Sequence, residues 1–328
     1  MTTRRRTLRL IAGAAGLALA GPAASARSAA PAFRWRGTAL GARAEIVIHH
    51  PDKGTAMALV AAARAEIDRL EDVFSLYRPD SAVSRLNRDG ALDAPPLDLV
   101  VLLRRASLWS RRTVGAFDVT VQPLWRLFQA HFADPAADPT GPRRAEVEEV
   151  ARLVDYRAVD VAAHRITLGA PGMAVTLNGI AQGYIADRVA GLLRAGGLED
   201  VLIDIGEIVA AGNDPYGRPW PVVMPNGQSL RDFGPSEIVD RAVATSQSDG
   251  TTFDATGRFH HVFEPRSGRP AAGFRSATVV ARHAVDADAL STATLAAGRL
   301  PGAPDGFAEW GIERVIAGDP ALGLWRIL

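Results

Sequence analysis

The order of strand-like and helix-like segments restricts the fold of this chain more than any other feature of its sequence. Residues 42–50, ARAEIVIHH, alternate apolar and polar side chains as a half-buried strand does. Residues 55–74 then place apolar side chains such as Ile67 and Leu70 near helical spacing. The later segments show no regular β-α alternation, and no G-x-G-x-x-G motif follows a strand. We therefore expect an α+β fold and not a doubly wound dinucleotide-binding fold.

The remaining segments indicate one compact unit. A second helix is expected after Pro95-Pro96, and residues 133–144, ADPAADPTGPRR, are typical of a surface loop before a short acidic helix. Two further helices are expected after Asn178 and after Asp288. The other strand-like segments lie around Ile166, at 201–205, around Val222 and Val223, at 259–263 and at 277–281. With no internal repeat and no long linker, residues 27–328 are expected to form a single domain.

Residues 1–26 have the pattern of a cleavable export signal. Four arginines within the first nine residues precede the apolar run LIAGAAGLALAG, and Ala24-Ser25-Ala26 forms an A-x-A cleavage site. The run is too short, and too rich in glycine and alanine, to span a bilayer comfortably. The arginine cluster favours the twin-arginine route, with a general secretory signal as the alternative. We expect the mature protein in the periplasm, without a transmembrane segment.

Composition and charge exclude several classes of site and partner. The chain has no cysteine, which excludes disulfides, thiolate metal sites and cysteine nucleophiles. Removing the four signal arginines from 37 basic residues leaves 33 against 36 acidic residues, a formal charge of −3. A nucleic-acid partner therefore loses its electrostatic support.

The stretch DADALSTATL, residues 286–295, permits two interpretations. Asp286 or Asp288 can cap a helix whose small residues pack against the core. Asp288 and Thr292 are also four residues apart, so their side chains share one helix face. Carboxylate and hydroxyl oxygens without His or Cys suit a hard cation such as Mg²⁺. The local pattern alone leaves both interpretations open.

The stretch TLNGIAQGYIADRVAGLLRAGG, residues 176–197, also has two interpretations. Asn178 is a good N-cap for an amphipathic helix, and Gly196 suits its C-terminal end. Gly179 and Gly183 weaken the helix start, which makes sense where a phosphate approaches the backbone. Close packing of the helix on a neighbouring strand is the alternative.

Two shorter segments carry weaker signals. His260 and His261 are adjacent on a strand-like run, so only one of them can face a given site. That histidine could act as a general base or could be structural. In GAFDVTVQPLW, residues 115–125, Phe117 and Asp118 lie beside a segment that is expected to be extended. Phe117 could support a flavin or purine ring and Asp118 could bind ring N–H groups or ribose hydroxyls, or both residues could belong to the core.

Seven segments, in this order, resemble the ApbE family of FAD:protein FMN transferases. They are ALGARAEI, FSLYRPDSAVSRLN, GAFDVTVQPLW, TLNGIAQGYIADRV, AVATSQSDG, HHVFEPRSGRP and DADALSTA. The resemblance extends from about Gly37 to beyond Gly298 and implies a T-fold-like α+β unit of mixed sheets and helices. It also implies the reaction. Enzymes of this family cleave FAD at its pyrophosphate, link FMN to a threonine or serine hydroxyl of a partner protein, and release AMP.

The resemblance implies a role for individual residues. Asp288, Thr292 and the carbonyl oxygen of Gly179 would hold Mg²⁺, or Mn²⁺ in its place. His261 matches the histidine of the family's H-x-x-D-P segment and would lie near the acceptor hydroxyl. The positions that contact FAD would be Leu40, Tyr77, Ala116, Phe117, Asp118, Thr176 and Gln182.

Four positions depart from the commonest family pattern. Leu40 replaces a methionine, Thr176 an aspartate, Gln182 a lysine or glutamate, and Glu264 the aspartate before Pro265. The changes at Thr176 and Gln182 remove charges near the diphosphate. These changes make a flavin-binding or delivery protein without catalysis one alternative to a transferase. An FAD pyrophosphatase, which would use the same site with water as the acceptor, is the other alternative.

The family resemblance also implies a partner. TLNGIAQGY resembles a variant found in exported members that accompany membrane-bound respiratory electron-transfer proteins. The expected partner is an acceptor protein or domain of this kind, facing the periplasm and carrying the threonine that receives FMN.

Overall fold

An eight-stranded antiparallel sheet forms the centre of the molecule. The computed structural model describes residues 30–224, 229–233, 238–302, 306–319 and 324–327. The predicted signal peptide, residues 1–26, lies outside the described residues. The predicted α+β class is confirmed, because strands and helices are mixed along the chain and every described strand pair is antiparallel.

The helices and strands have the following bounds in the described part of the chain. The strands are β1 (Ala32–Ala39), β2 (Ala42–His49), β3 (Ala91–Asp93), β4 (Val159–Val161), β5 (Arg165–Leu168), β6 (Val201–Asp204), β7 (Ile208–Ala211), β8 (Arg241–Gln247), β9 (Phe263–Glu264), β10 (Arg269–Pro270), β11 (Ser276–Ala281), β12 (Ile312–Asp319) and β13 (Leu324–Ile327). The α-helices are α1 (Lys53–Phe74), α2 (Ala82–Asp89), α3 (Leu97–Arg112), α4 (Gln122–Ala133), α5 (Arg144–Ala151), α6 (Ala181–Ala195) and α7 (Ala284–Ala297).

The strand order of the large sheet is β1-β2-β6-β7-β8-β11-β12-β13, with two small sheets, β3-β5-β4 and β9-β10, beside it. Alternation along the strands gives the large sheet two apolar faces. On β8, Ala242 and Ala244 belong to the main core, whereas Val243 belongs to a second cluster with Trp220. The helices α1, α6 and α7 therefore cover one face of the sheet, and the segment around Trp220 covers the other.

Helix α7 is buried on nearly all sides. It packs on β8 and β11, and α6 and α3 also contact it. Twelve of its fourteen residues are buried, among them Asp286 and Asp288. The short side chains of this helix are explained by that confinement, because close-packed neighbours leave little room for larger ones.

The structure corrects the predicted cap of α7. The N-cap residue is His283, which makes no side-chain capping bond. The carboxylate of Asp187, on α6, instead accepts the backbone amides of Ala284 and Val285 at 2.9 and 3.0 Å. The prediction that Asp286 or Asp288 caps the helix was wrong, because a neighbouring helix supplies the acceptor for the unpaired amides at the helix start.

Other local predictions had mixed outcomes. The helix expected over 55–74 and the strands expected at 42–50, 201–205 and 277–281 are present, with ends shifted by a few residues at most. The strand at Ile166 is present as β5. The helix expected after Asn178 begins only at Ala181, and its N-cap is Ile180 without a side-chain bond, so Asn178 is not the cap. At the other end Gly196 is the C-cap, and the left-handed residue is Gly197.

Two segments predicted as extended are not. Residues after Asp118 form a 3₁₀ turn, Val119–Val121, that leads into α4. The Asp118 carboxylate accepts from the Thr120 amide and hydroxyl, which favours the turn over a strand. The run 259–263 forms only an isolated bridge at His260 and the start of β9. Within the described ranges, no helix has the length and apolar character needed to cross a membrane.

Candidate active site

A cavity of about 500 Å³ lies where the start of α6 meets α7 and the end of β8. Its volume falls in the range typical of small-molecule and cofactor sites. Nine of the sequence-predicted site residues line it: Ala116, Phe117, Asp118, Thr176, Gly179, Gln182, His261, Asp288 and Thr292. Residues that are up to 176 positions apart in sequence therefore share one cavity.

Close contact between α6 and α7 brings the predicted cation ligands together. A β-carbon on Gly183 would lie 2.3 Å from the carbonyl oxygen of Ala284, a backbone atom that cannot move aside. The glycine allows the helices to approach, and its amide donates to Asp288 Oδ2 at 3.1 Å. Close packing, the alternative interpretation of this glycine, is present, but the partner is the backbone of helix α7 and not the expected strand.

Gly179 and Thr292 are similarly close. Gly179 lies in the turn before α6, and a β-carbon there would be 2.9 Å from the hydroxyl oxygen of Thr292. The backbone of Gly179 thus runs directly beside the side chain predicted to share a cation with it. Asp288, Thr292 and the Gly179 backbone form a group of oxygen donors with no nitrogen or sulfur ligand among them.

Buried carboxylates give this region a strongly acidic character. The pKa of Asp288 is raised to about 7, mainly by burial and to a smaller extent by the charge of Asp187, although the hydrogen bond from the Gly183 amide lowers it. Burial and the charge of Asp288 raise the pKa of Glu207 well above its usual value. Burial also raises the pKa of Asp204 to about 7. Ionised carboxylates in such surroundings need a compensating cation.

The donor set fits a hard divalent cation completed by a substrate. Among the described residues, no three His, Cys, Asp or Glu side chains form a cluster able to hold a metal ion. A cation at Asp288 would therefore need the Thr292 hydroxyl, a backbone carbonyl and oxygens from a bound phosphate. That combination matches the oxygen preference and incomplete protein coordination of Mg²⁺.

Gln182 presents a polar group to the same cavity. Its side-chain Nε2 is buried without a hydrogen-bond partner and lies beside Gly206, whose φ of +87° suits glycine. An amide donor left unpaired costs free energy unless a ligand accepts from it. A phosphate oxygen is such an acceptor, and no positive charge on residue 182 is needed.

The two histidines have different surroundings. His260 is buried, its Nε2 lies 3.0 Å from the carbonyl oxygen of Ala271, and burial lowers its pKa. His261 lines the cavity, and its Nδ1 lies 3.0 Å from the carbonyl oxygen of Thr251. The amide nitrogen of Thr251 also lies 3.2 Å from Nδ1, so Nδ1 either donates to the carbonyl or accepts from the amide. In the tautomer that donates to the carbonyl, Nε2 is the basic nitrogen. The expectation that only one histidine faces the site is confirmed.

The surroundings of four other residues predicted to contact FAD restrict their contact with a ligand in the cavity. Both carboxylate oxygens of Asp118 accept protein hydrogen bonds, one from Thr120 and one from the amide of Tyr156. The Phe117 ring belongs to the main core although it borders the cavity. Leu40 is buried, Tyr77 is 67% exposed, and neither lines the cavity, although their neighbour Gly41 does. Contact of these residues with FAD stays a prediction.

Sequence reasoning missed several residues of the site. Asp204 and Glu207 flank Gly206 at the end of β6, where the pattern D-I-G-E after a buried strand was the available signal. Ser246 lines the cavity and contacts Thr292, and no local pattern pointed to it. Asp286 was expected as a helix cap. It is buried, and it accepts from Arg105 Nε and Trp109 Nε1, both at 2.7 Å.

The fold and the cavity together define an α+β protein with a cleft suited to a phosphate-containing ligand and a hard cation. The profile of the ApbE family matches residues 40–303. An FAD:protein FMN transferase of Treponema pallidum is 32% identical over 250 residues, 71% of this chain and 69% of that protein. Another, from Vibrio cholerae, is 30% identical over 251 residues, 73% of this chain and 74% of that protein. The chain belongs to the ApbE family.

A solved structure agrees with this assignment. A mutant form of the flavin transferase ApbE from Vibrio cholerae superposes with a TM-score of 0.73 at 25% sequence identity. The superposition covers 91% of this chain and 97% of that chain.

Proposed function

We propose that this protein is an FAD:protein FMN transferase that moves FMN from FAD to a threonine or serine hydroxyl of an acceptor protein and releases AMP. The observation that carries the proposal is the meeting of Asp288, Thr292 and Gly179 in one cavity with Gln182 and His261. Membership of the ApbE family supports the same reaction.

In the proposed reaction the acceptor hydroxyl oxygen attacks the phosphorus of the FMN half of the FAD pyrophosphate. A phosphoester bond forms to the acceptor, the bond to the bridging oxygen breaks, and that oxygen leaves with AMP. His261 Nε2 takes the hydroxyl proton, and the resulting imidazolium keeps its Nδ1 bond to the Thr251 carbonyl. Gln182 Nε2 donates to a diphosphate oxygen and so helps to orient the leaving group.

Asp288, Thr292 and the Gly179 carbonyl are the groups that would hold Mg²⁺, with Mn²⁺ as an alternative ion. When bound, the ion neutralises charge that develops on the phosphates during transfer. The Gly183 amide holds Oδ2 of Asp288 in place at 3.1 Å, and Asp288 lines the cavity.

We further propose that residues 27–328 act in the periplasm after removal of residues 1–26. The arginine-rich start, the short apolar run and the A-x-A site support export, and the twin-arginine route would allow it after folding. The acceptor would then be a periplasm-facing protein or domain of a respiratory electron-transfer system, as the TLNGIAQGY segment suggests.

The test is incubation of the mature protein with FAD, Mg²⁺ and candidate periplasmic acceptor domains. We expect flavin fluorescence that stays with the acceptor on a denaturing gel and one AMP per flavin attached. Asp288→Asn should reduce this labelling more than a hundredfold while the protein stays folded.

The same assay separates the alternatives. Equal release of FMN and AMP with and without acceptor would indicate a pyrophosphatase. Stoichiometric FAD binding without AMP release would indicate a binding or delivery protein. Undiminished labelling by Asp288→Asn would overturn the cation assignment.

A further inference from the structure

A row of three hydroxyl groups connects the cavity to the interior of the protein. Thr292 Oγ1, in the cavity wall, lies 3.1 Å from Ser246 Oγ on β8. Ser246 Oγ lies 2.8 Å from Ser291 Oγ on α7. Ser291 Oγ lies 3.0 Å from the backbone carbonyl oxygen of Asp288 and is fully buried. The row thus begins and ends at residues predicted to hold the cation.

The last bond in the row fixes the direction of the others. A carbonyl oxygen can only accept, so Ser291 donates its single hydroxyl hydrogen to Asp288. Ser291 must then accept from Ser246, whose hydrogen is used in that bond. Ser246 can therefore only accept from Thr292. The direction runs from Thr292 through both serines to the backbone of α7.

From this direction we infer that Ser246 and Ser291 are positioning residues that hold the Thr292 hydroxyl as an acceptor towards the cavity. The hydrogen of Thr292 points at Ser246, so the oxygen lone pairs are directed at a bound divalent cation. The inference rests on the proposed function, in which Thr292 is a cation ligand.

A hydroxyl without this partner behaves differently. It rotates and can place its hydrogen towards the cavity, where the hydrogen repels a cation and competes for phosphate oxygens. A hydrogen bond that fixes the orientation of the Thr292 hydroxyl before the cation binds removes that competing orientation. It also lowers the entropic cost of ordering the hydroxyl when the cation binds. The effect therefore belongs to cation affinity and not to the chemical step.

A purely structural role is the alternative, because the same bonds join β8 to α7. Measurement of cation binding in parallel with stability separates the two. Thr294 provides a matched control, since it lies on the same helix, is fully buried, and its hydroxyl has no hydrogen-bond partner. Thr294→Val therefore removes a buried hydroxyl from α7 without breaking a hydrogen bond.

The experiment measures Mn²⁺ binding to the mature protein by electron paramagnetic resonance, with thermal melting of each variant. We expect Ser246→Ala to raise the dissociation constant of Mn²⁺ about five- to tenfold, the factor typical of one lost hydrogen bond. Ser291→Ala, which leaves Ser246 free to point either way, should raise it by about two- to fivefold. Thr294→Val should leave it unchanged, and Ser246→Thr should restore it.

The Mg²⁺ dependence of the flavinylation rate provides a second measurement. The Mg²⁺ concentration for half-maximal rate should rise in Ser246→Ala by the same factor as the Mn²⁺ dissociation constant, with kcat at saturating Mg²⁺ within about twofold of wild type. An unchanged Mn²⁺ dissociation constant in Ser246→Ala, alongside its loss in Asp288→Asn, would overturn the inference and leave the proposed function intact.

Two other outcomes are also decisive. Retained Mn²⁺ binding in Asp288→Asn would contradict the cation site itself. If Ser246→Ala does not fold, Ser291→Ala decides the matter. If Ser291→Ala lowers the melting temperature but leaves the dissociation constant of Mn²⁺ unchanged, the two serines have a structural role only.

Discussion

The backbone amide of Gly183 donates a hydrogen bond to Asp288 Oδ2 at 3.1 Å, although the two residues lie on different helices. This bond can form because Gly183 has no β-carbon, and the backbone of Ala284 occupies the space that a β-carbon would fill. The candidate cation site is therefore assembled by the packing of α6 against α7, and its geometry depends on how closely the two helices approach.

Replacement of Gly183 tests that dependence. Gly183→Ala places a methyl group 2.3 Å from a carbonyl oxygen and should lower the free energy of unfolding by about 2–3 kcal/mol. Flavinylation should fall with it, because Asp288 moves away from Gly179. Gly191→Ala on the same helix meets no atom within 4 Å and should instead raise stability by about 0.5–1 kcal/mol. Urea unfolding of both variants makes the measurement, and equal stability for the two would contradict the packing account.

The two aspartates of the DADALSTATL segment should respond oppositely to neutralisation. Asp286→Asn weakens the pairing with Arg105 and Trp109 and should cost about 2 kcal/mol of unfolding free energy, since Arg105 is partly exposed. Asp288→Asn removes a buried carboxylate that has no cationic side chain beside it among the described residues, so the metal-free protein should be as stable as wild type or more stable. Calorimetry in the presence of a chelator measures the stability of both variants. A large loss of stability in Asp288→Asn, with none in Asp286→Asn, would reverse the roles assigned to the two aspartates.

Substitution of His261 should lower the reaction rate, whereas substitution of His260 should lower stability. His261→Gln should lower kcat by about 10²- to 10⁴-fold, the usual contribution of a general base, with FAD binding retained. His260→Ala removes the bond to the Ala271 carbonyl and should lower the melting temperature, with a rate per folded molecule within tenfold of wild type. Single-turnover flavinylation and fluorescence titration with FAD measure the two quantities. A full rate in His261→Gln would exclude it as the base.

Stability of the metal-free protein should fall as the pH rises from 5 to 8. The folded-state pKa values of Asp204 and Asp288, each about 7, lie above the ordinary value of 3.8. Between these values the two carboxyl groups hold more protons in the folded protein than in the unfolded chain, so the stability that they contribute is fully present below pH 4 and is lost as pH rises through 7. We expect a loss of unfolding free energy of about 2 kcal/mol or more, and a smaller loss in Asp204→Asn.

Added Mg²⁺ should change this dependence in a defined direction. The cation competes with a proton for Asp288, so it should raise the melting temperature more at pH 8 than at pH 5. Thermal melting in buffers of equal ionic strength measures how the melting temperature depends on pH, with and without Mg²⁺. A stability that rises with pH in the chelated protein would contradict the assignment of raised pKa values.

The sequence by itself determined the elements whose pattern is local. The periodicity of residues 55–74 predicted α1, and alternation at 42–50 predicted β2, because each element buries mainly one face, with Val47 the buried exception on the other face of β2. The oxygen-rich Asp288 and Thr292 pair also predicted the kind of cation that would suit the site. The family resemblance then brought in Gly179, Gln182 and His261, which the structure places in the same cavity.

Tertiary structure decided what depends on contacts between distant residues. Asp286 and Asp288 are chemically identical, but two positions on a helix turn the side chain by about 200°, so they face opposite sides. Since α7 is buried on nearly all sides, its sequence has no polar face to show which side meets the cavity. Only packing against α3 and α6 gives Asp286 an arginine partner and leaves Asp288 to the cavity. The cap from Asp187 and the hydroxyl row through Ser246 are likewise long-range contacts, which no local pattern records.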